Sequence, residues 1–331
     1  MLLLSVLSCE REMDIPLKPG TGRLYLECFP SDGNDTTYIS LTAASPVTDG
    51  VAPGRLSGIR MDFSVNGEPA VPKLYSVDND TYTYMADFPI ETGDRISVSA
   101  SAEGYPSVSA TSEVPVAPEI EMDREIYRYG TLRHRFTVRR DGGPGRKRYY
   151  GVAITGERRM ETVYADPDME PVTEVSRLQY DYGMSSPVES TDEDILGYET
   201  ITQCRVNGMN MAVFEDDGGN TPELEIVVDI PYEKDKYWVV TEEYSTYRRT
   251  LYRVDMFLIP EQAYEYLNPK VNESLLAAGL IPPFINRGNV SGGYGTVSCM
   301  GCTSSGWIGS PESRNQYNDS ADFAISSGWS K

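Results

Sequence analysis

The chain has 331 residues and a formal net charge of −21, from 50 Asp and Glu against 29 Lys and Arg. A surface that acidic repels phosphate backbones and excludes a general nucleic-acid-binding role. No apolar run reaches the ~18 residues a transmembrane helix needs, and the length suits two domains of ordinary size.

Hydrophobic residues make up 40% of the chain, enough for real cores. The aromatic balance is skewed, with 23 Tyr against 8 Phe and 3 Trp. Tyr favours strands and half-buried surfaces, where the ring is covered and the hydroxyl stays wet. With 29 Gly and 22 Pro as turn punctuation, the composition predicts an all-β protein.

Residues 1–8 read as the remnant of a signal peptide. Val6-Leu7-Ser8-Cys9 has the apolar-small-Cys pattern of a lipobox, which makes Cys9 the expected lipidation site. A basic n-region does not precede it, so a start upstream of Met1 is expected. Glu10-Arg11-Glu12 follows at once, and residues 9–21 read as a Pro-punctuated tether. The acids Glu10, Glu12 and Asp14 resemble export signals that send lipoproteins to the outer face of an outer membrane.

Residues 22–117 read as an immunoglobulin-like β-sandwich. Leu24, Leu26 and Cys28 alternate with Arg23, Tyr25 and Glu27, the period of a half-buried strand. Tyr38–Thr42 follows, then Ile59–Val65. Asn66-Gly67 is a strong hairpin signal. Lys73–Val77, Thr81–Ala86, Ile96–Ala102 and Val108–Val114 complete about seven strands separated by polar turns, the immunoglobulin-like pattern. Pro115-Val116-Ala117-Pro118 reads as a linker.

Residues 118–298 read as a second, larger β-sandwich-like domain. Strands are expected at 119–126, 133–138, 149–155, 209–214, 224–230, 237–244 and 251–259. Residues near 156–205 lose apolar periodicity and read as a long insertion. Pro260–Leu267 is the best helix, with Pro in its first turn, and Asn272–Ala278 is a second short candidate. Residues 299–331 read as a Gly/Ser-rich tail.

Cys28, Cys204, Cys299 and Cys302 are an even set, which in an exported protein suggests disulfides. A disulfide involving the Cys299-Met300-Gly301-Cys302 motif is the leading expectation, with free thiols or a metal or redox site as alternatives. Zinc needs about four ligands, and neither a second such motif nor a His pair accompanies this one.

Several stretches, in order, resemble a large family of Bacteroidota outer-membrane lipoproteins known only as a domain of unknown function. They are Cys9–Ile15, Leu24–Phe29, Val254–Ile259 with Pro260–Leu267, Pro283-Phe284, and Asn289-Val290-Ser291-Gly292-Gly293-Tyr294-Gly295. The resemblance spans roughly residues 9–298; the insertion and the Cys-containing tail depart from it. It implies a gene setting beside TonB-dependent receptors and an immunoglobulin-like N-terminal domain. It carries no catalytic residues over.

His134 is the single histidine, and it reads as a packed or solvated side chain rather than part of a triad or metal site. Glu215–Asn220 could form a calcium loop or a plain acidic turn. Tyr294 and Trp307, aromatics in polar turn segments, are the candidate ligand or partner contacts. The expected role is a binding or accessory subunit of a TonB-dependent transporter, without catalysis, metal or cofactor. An adhesin or structural envelope component is the alternative.

Overall fold

The structure is a computed structural model that describes residues 22–44, 55–128, 131–140, 145–179, 202–218, 222–231, 236–268 and 288–309. The protein is all-β, with one short helix among the described residues.

The N-terminal strands are β1 (Arg23–Cys28), β2 (Thr36–Ala44), β3 (Arg60–Val65), β4 (Glu68–Ala70), β5 (Lys73–Asp78), β6 (Thr81–Asp87), β7 (Arg95–Ser101) and β8 (Val108–Glu113). Strict alternation along β1, β2 and β7 sends every second side chain into one core. Leu24, Leu26, Ile39, Leu41, Phe63, Ile96 and Val98 fill it. Asn66 and Gly67 both adopt positive φ, as the tight hairpin between β3 and β4 requires.

The chain continues through β9 (Ile120–Arg128), β10 (Thr131–Arg139), β11 (Arg148–Tyr164), β12 (Val172–Gln179), β13 (Thr202–Val206) and β14 (Met209–Asp216). Then come β15 (Glu223–Pro231), β16 (Lys236–Val240), β17 (Tyr244–Ile259) and α1 (Glu261–Leu267). The last strands are β18 (Tyr294–Val297), β19 (Gly301–Ser304) and β20 (Ile308–Gly309).

The second half is also a sandwich. The sheet β15-β10-β9 packs on a larger sheet, β13-β14-β11-β17-β16, to which β12, β19 and β20 add. Phe136, Val138, Leu224 and Ile226 meet Tyr150, Val152, Phe214, Tyr252 and Val254 between them. The other face of the large sheet carries Tyr149, Ala153, Met211, Val213 and Phe257, covered by Ala263, Tyr264 and Leu267 of α1. Cover on both faces explains why residues 148–154 are buried without a break.

Three expectations need correction. Residues 156–179 are not irregular: β11 runs on to Tyr164 against β17, and β12 pairs back on β11. Residues 157–164, rich in Arg, Glu and Thr, have no apolar period and no fully buried face. The backbone ladder to β17 holds them, joined by the Thr162–Thr246 hydroxyl pair and the Arg159–Glu157 ion pair. Residues 202–205, at the end of the expected insertion, belong to β13, and 180–201 lie outside the described residues. The tail is not all loop, since residues 301–304 and 308–309 pair with β17. Nor do the halves divide cleanly at 117, because β18 lies parallel to β1 as the edge strand of the first sandwich. The second helix candidate, 272–278, also lies outside the described residues.

Candidate binding cleft

The junction of the two sandwiches is built by residues far apart in sequence. Gly301 lies against the linker, where a Cβ would sit 2.5 Å from the Pro115 carbonyl oxygen and 2.9 Å from the Ala117 nitrogen. Glycine is therefore required for the two backbones to meet. Thr303 Oγ1 donates to the Pro118 carbonyl at 2.7 Å. These contacts pin β19 to the linker and leave a cleft of about 710 Å³ beside it. Asp32, Thr92, the linker, Thr137, Arg139 and Cys302 are among its walls.

Asp32 is the best-held polar group of the cleft. Its Oδ1 accepts the backbone N–H of Cys302, and its Oδ2 accepts the Thr92 hydroxyl at 3.0 Å. Burial pushes its pKa up, against those two donors. Arg139 on β10 pairs with Glu119 at 2.9 Å, both largely exposed at the rim. Glu121 and Glu223 also line the wall, so acids outnumber bases. The chemistry on offer is hydrogen-bond acceptance beside apolar Val116, Pro118 and Ile120.

Below the rim, Arg140 closes a two-bond ion pair on Asp216, at 2.9 and 2.8 Å, with both side chains nearly out of solvent. Asp216 is thereby committed to a guanidinium. Glu215 and Asp217 both reach Lys147. The acidic segment at 215–218 is thus an ion-pair network, and 219–220 lie outside the described residues. Among the described residues, no group of three or more His, Cys, Asp or Glu is placed to share a metal ion.

Cys9 lies outside the described residues. Cys299 and Cys302 carry free thiols, as do Cys28 and Cys204, so the expected disulfide is not formed. For the Cys299–Cys302 pair the reason is directional: Cys299 joins the first core, and Cys302 packs toward the α1-covered face of the large sheet. Burial pushes Cys204, Cys299 and Cys302 up to about 12, which disfavours the thiolate that metal or redox chemistry needs.

Tyr294 stands opposite Tyr25 at the first sandwich edge, 40% exposed, with the Arg23 guanidinium 5.9 Å from its ring centre. Trp307 is half-buried under the Arg253 guanidinium at 5.5 Å. Neither lines the cleft. His134 falls within β10, paired to β9 and β15. Sequence reasoning missed Asp32, which sits in a turn and carries no local signal of its partners 60 and 270 residues away.

The Asn289 to Gly295 signature has a structural explanation. Asn289 Nδ2 donates to the Val297 carbonyl at 2.7 Å, and Oδ1 accepts the Val297 N–H at 2.8 Å. The side chain thus pairs like a one-residue strand, and glycines at 293 and 295 let β18 press onto the backbone of β1.

The profile of the family described as Domain of unknown function (DUF4249) matches residues 10–305. The chain belongs to this DUF4249 family. The match includes β18, the strand that closes the first sandwich. No curated protein matches the chain. Among solved structures, it is similar to the C-terminal domain of the Streptococcus agalactiae AgI/II polypeptide BspA. Identity is 9%, with 72% of this chain and 95% of that one covered and a TM-score of 0.16. The C-terminal domain of the Streptococcus pyogenes antigen I/II-family protein AspA is 8% identical, covering 73% and 96%, with a TM-score of 0.15. Likeness at that score carries no argument about the DUF4249 chain.

Proposed function

We propose that the protein is a Bacteroidota outer-membrane lipoprotein, exposed at the cell surface, that serves a TonB-dependent transporter as a non-catalytic binding or accessory subunit. The observation that carries this reading is Val6-Leu7-Ser8-Cys9, with charged Glu10-Arg11-Glu12 immediately after it. Acyl chains on Cys9 would hold the body at a membrane, since each buried methylene contributes about 0.8 kcal/mol.

Two further features support it. The cleft lies between rigid sandwiches and is lined by loops and strand ends, a common arrangement for ligand sites. Its acceptor-rich wall suits a small neutral or cationic ligand bearing hydroxyl or amine donors. Beyond the core, the ribbon of β11, β12, β16 and β17 exposes Val163, Val172, Val175, Tyr237 and Val240. A surface of that kind suits contact with another protein.

The test is fatty-acid labelling in the native host together with detergent co-purification. Label on the wild type, none on Cys9→Ser, and a β-barrel receptor in the purified complex are the expected results. An unmodified Cys9 thiol in a protein found wholly in the soluble fraction would overturn the reading.

A further inference from the structure

Other strand ends of the first sandwich are blunted. β8 is met at its edge by Ser291 through a bridge to Ser109, and β4 is only three residues long. β5 differs. It ends its sheet, no described strand pairs with its far side, and all six of its residues are exposed. Leu74, Tyr75 and Val77 are 54%, 63% and 51% exposed, and charge is confined to the two ends, Lys73 and Asp78. An open edge with apolar side chains is a template for another strand.

The order of faces along β5 identifies that strand. Leu74 and Val77 stand opposite Tyr84 and Tyr82, which pack against the first core. Lys73, Ser76 and Asp78 stand opposite Met85, Thr83 and Thr81 on the outer face. A bulge falls between Leu74 and Ser76, and the Tyr75 ring meets Tyr38 of the outer face at 5.5 Å. Tyr75 and Ser76 therefore share the outer face. Read from either end, the strand runs outer, inner, outer, outer, inner, outer.

A regular six-residue strand cannot pair end to end with its own copy, because the two-fold axis would set inner side chains against outer ones. The bulge removes that conflict. Antiparallel self-pairing then sets Lys73 opposite Asp78 of the second copy, Leu74 opposite Val77, and Tyr75 opposite Ser76. Charges match at both ends, and the apolar pair lies on the core side.

We infer that β5 is the seam of a two-fold homodimer, in which two copies of the first sandwich join into one continuous sheet. The inference does not rest on the lipoprotein reading. Six residues of edge bury less than the ~1,600 Å² of a standard interface, so the dimer dissociates on dilution.

Sedimentation equilibrium of the full chain over a range of concentrations tests this. The wild type should show a reversible monomer–dimer equilibrium. Lys73→Asp sets Asp against Asp at both ends of the seam, and Asp78→Lys sets Lys against Lys. Each should weaken the dimer about 10-fold or more, as like charges placed directly opposite do. The double variant Lys73→Asp/Asp78→Lys restores opposite charges and should regain the dimer. Unchanged circular dichroism melts show that these exposed substitutions leave the fold intact. A chain that stays monomeric throughout, a dimer indifferent to the single changes, or a double variant as weak as the singles overturns the seam.

Discussion

Glu27 and Asp32 sit where water is scarce. Glu27 Oε2 accepts hydroxyls from Tyr25 and from Tyr266 of α1, at 3.1 and 2.9 Å, and burial raises its pKa. Asp32 is raised in the same way. An acid whose folded pKa lies above its unfolded value adds stability below the unfolded value, 4.5 for Glu27 and 3.8 for Asp32. That contribution is lost as pH climbs through the folded value. Glu27→Gln and Asp32→Asn should therefore flatten the loss of thermal stability as pH rises above the unfolded values of 4.5 and 3.8. Melting curves as steep in pH as those of the wild type would contradict this. The Asp216 carboxylate is held by the Arg140 guanidinium. Asp216→Ala leaves the Arg140 charge buried and should cost about 3–5 kcal/mol, read as a lower midpoint in urea. A midpoint unchanged within error would mean that solvent reaches Arg140 freely.

At the scale of elements, the first sandwich borrows its closing strand. Val290, Val297 and Cys299 belong to its core, and β18 covers the edge of β1. A fragment of residues 22–117 should therefore fail to fold, although its own strands alternate well. Its amide proton–nitrogen spectrum should show the narrow dispersion of an unfolded chain, and a well-dispersed spectrum would refute the borrowed-strand account. Most of those strands were legible because they have one wet face and one buried face, as in Thr36–Ala44. The stretch from Glu157 to Tyr164 was not legible. It has no fully buried face, and it is a strand because β17 offers a ladder from Tyr244 to Leu251 beside it. Pairing energy supplied by a partner some 80 residues away leaves no local mark. The same holds for β19, whose Gly and Ser look like a tail until Asp255–Leu258 is placed next to them.

For the molecule as a whole, the two sandwiches share material. Phe29, at the end of β1, and Met300, before β19, are both buried with Tyr149, Phe257 and Tyr264 of the second half. Asn207 Nδ2 also donates to the Phe29 carbonyl at 2.8 Å. Neither sandwich can open without exposing side chains of the other. Calorimetry should give one cooperative transition, with calorimetric and van't Hoff enthalpies in agreement. Two resolved transitions would show that the halves are independent.

The sequence alone determined the fold class, most first-half strands, the Asn66-Gly67 hairpin and α1, because each depends on residues within a few positions of one another. Periodicity, turn chemistry and helix-start signals are local properties of the chain. The crossing of β18 and β19 between the halves, the free thiols of Cys299 and Cys302, and the cleft at Asp32 were decided by the tertiary structure. Each rests on contacts between segments tens to hundreds of residues apart, and such contacts are selected by packing and backbone pairing that no local pattern encodes.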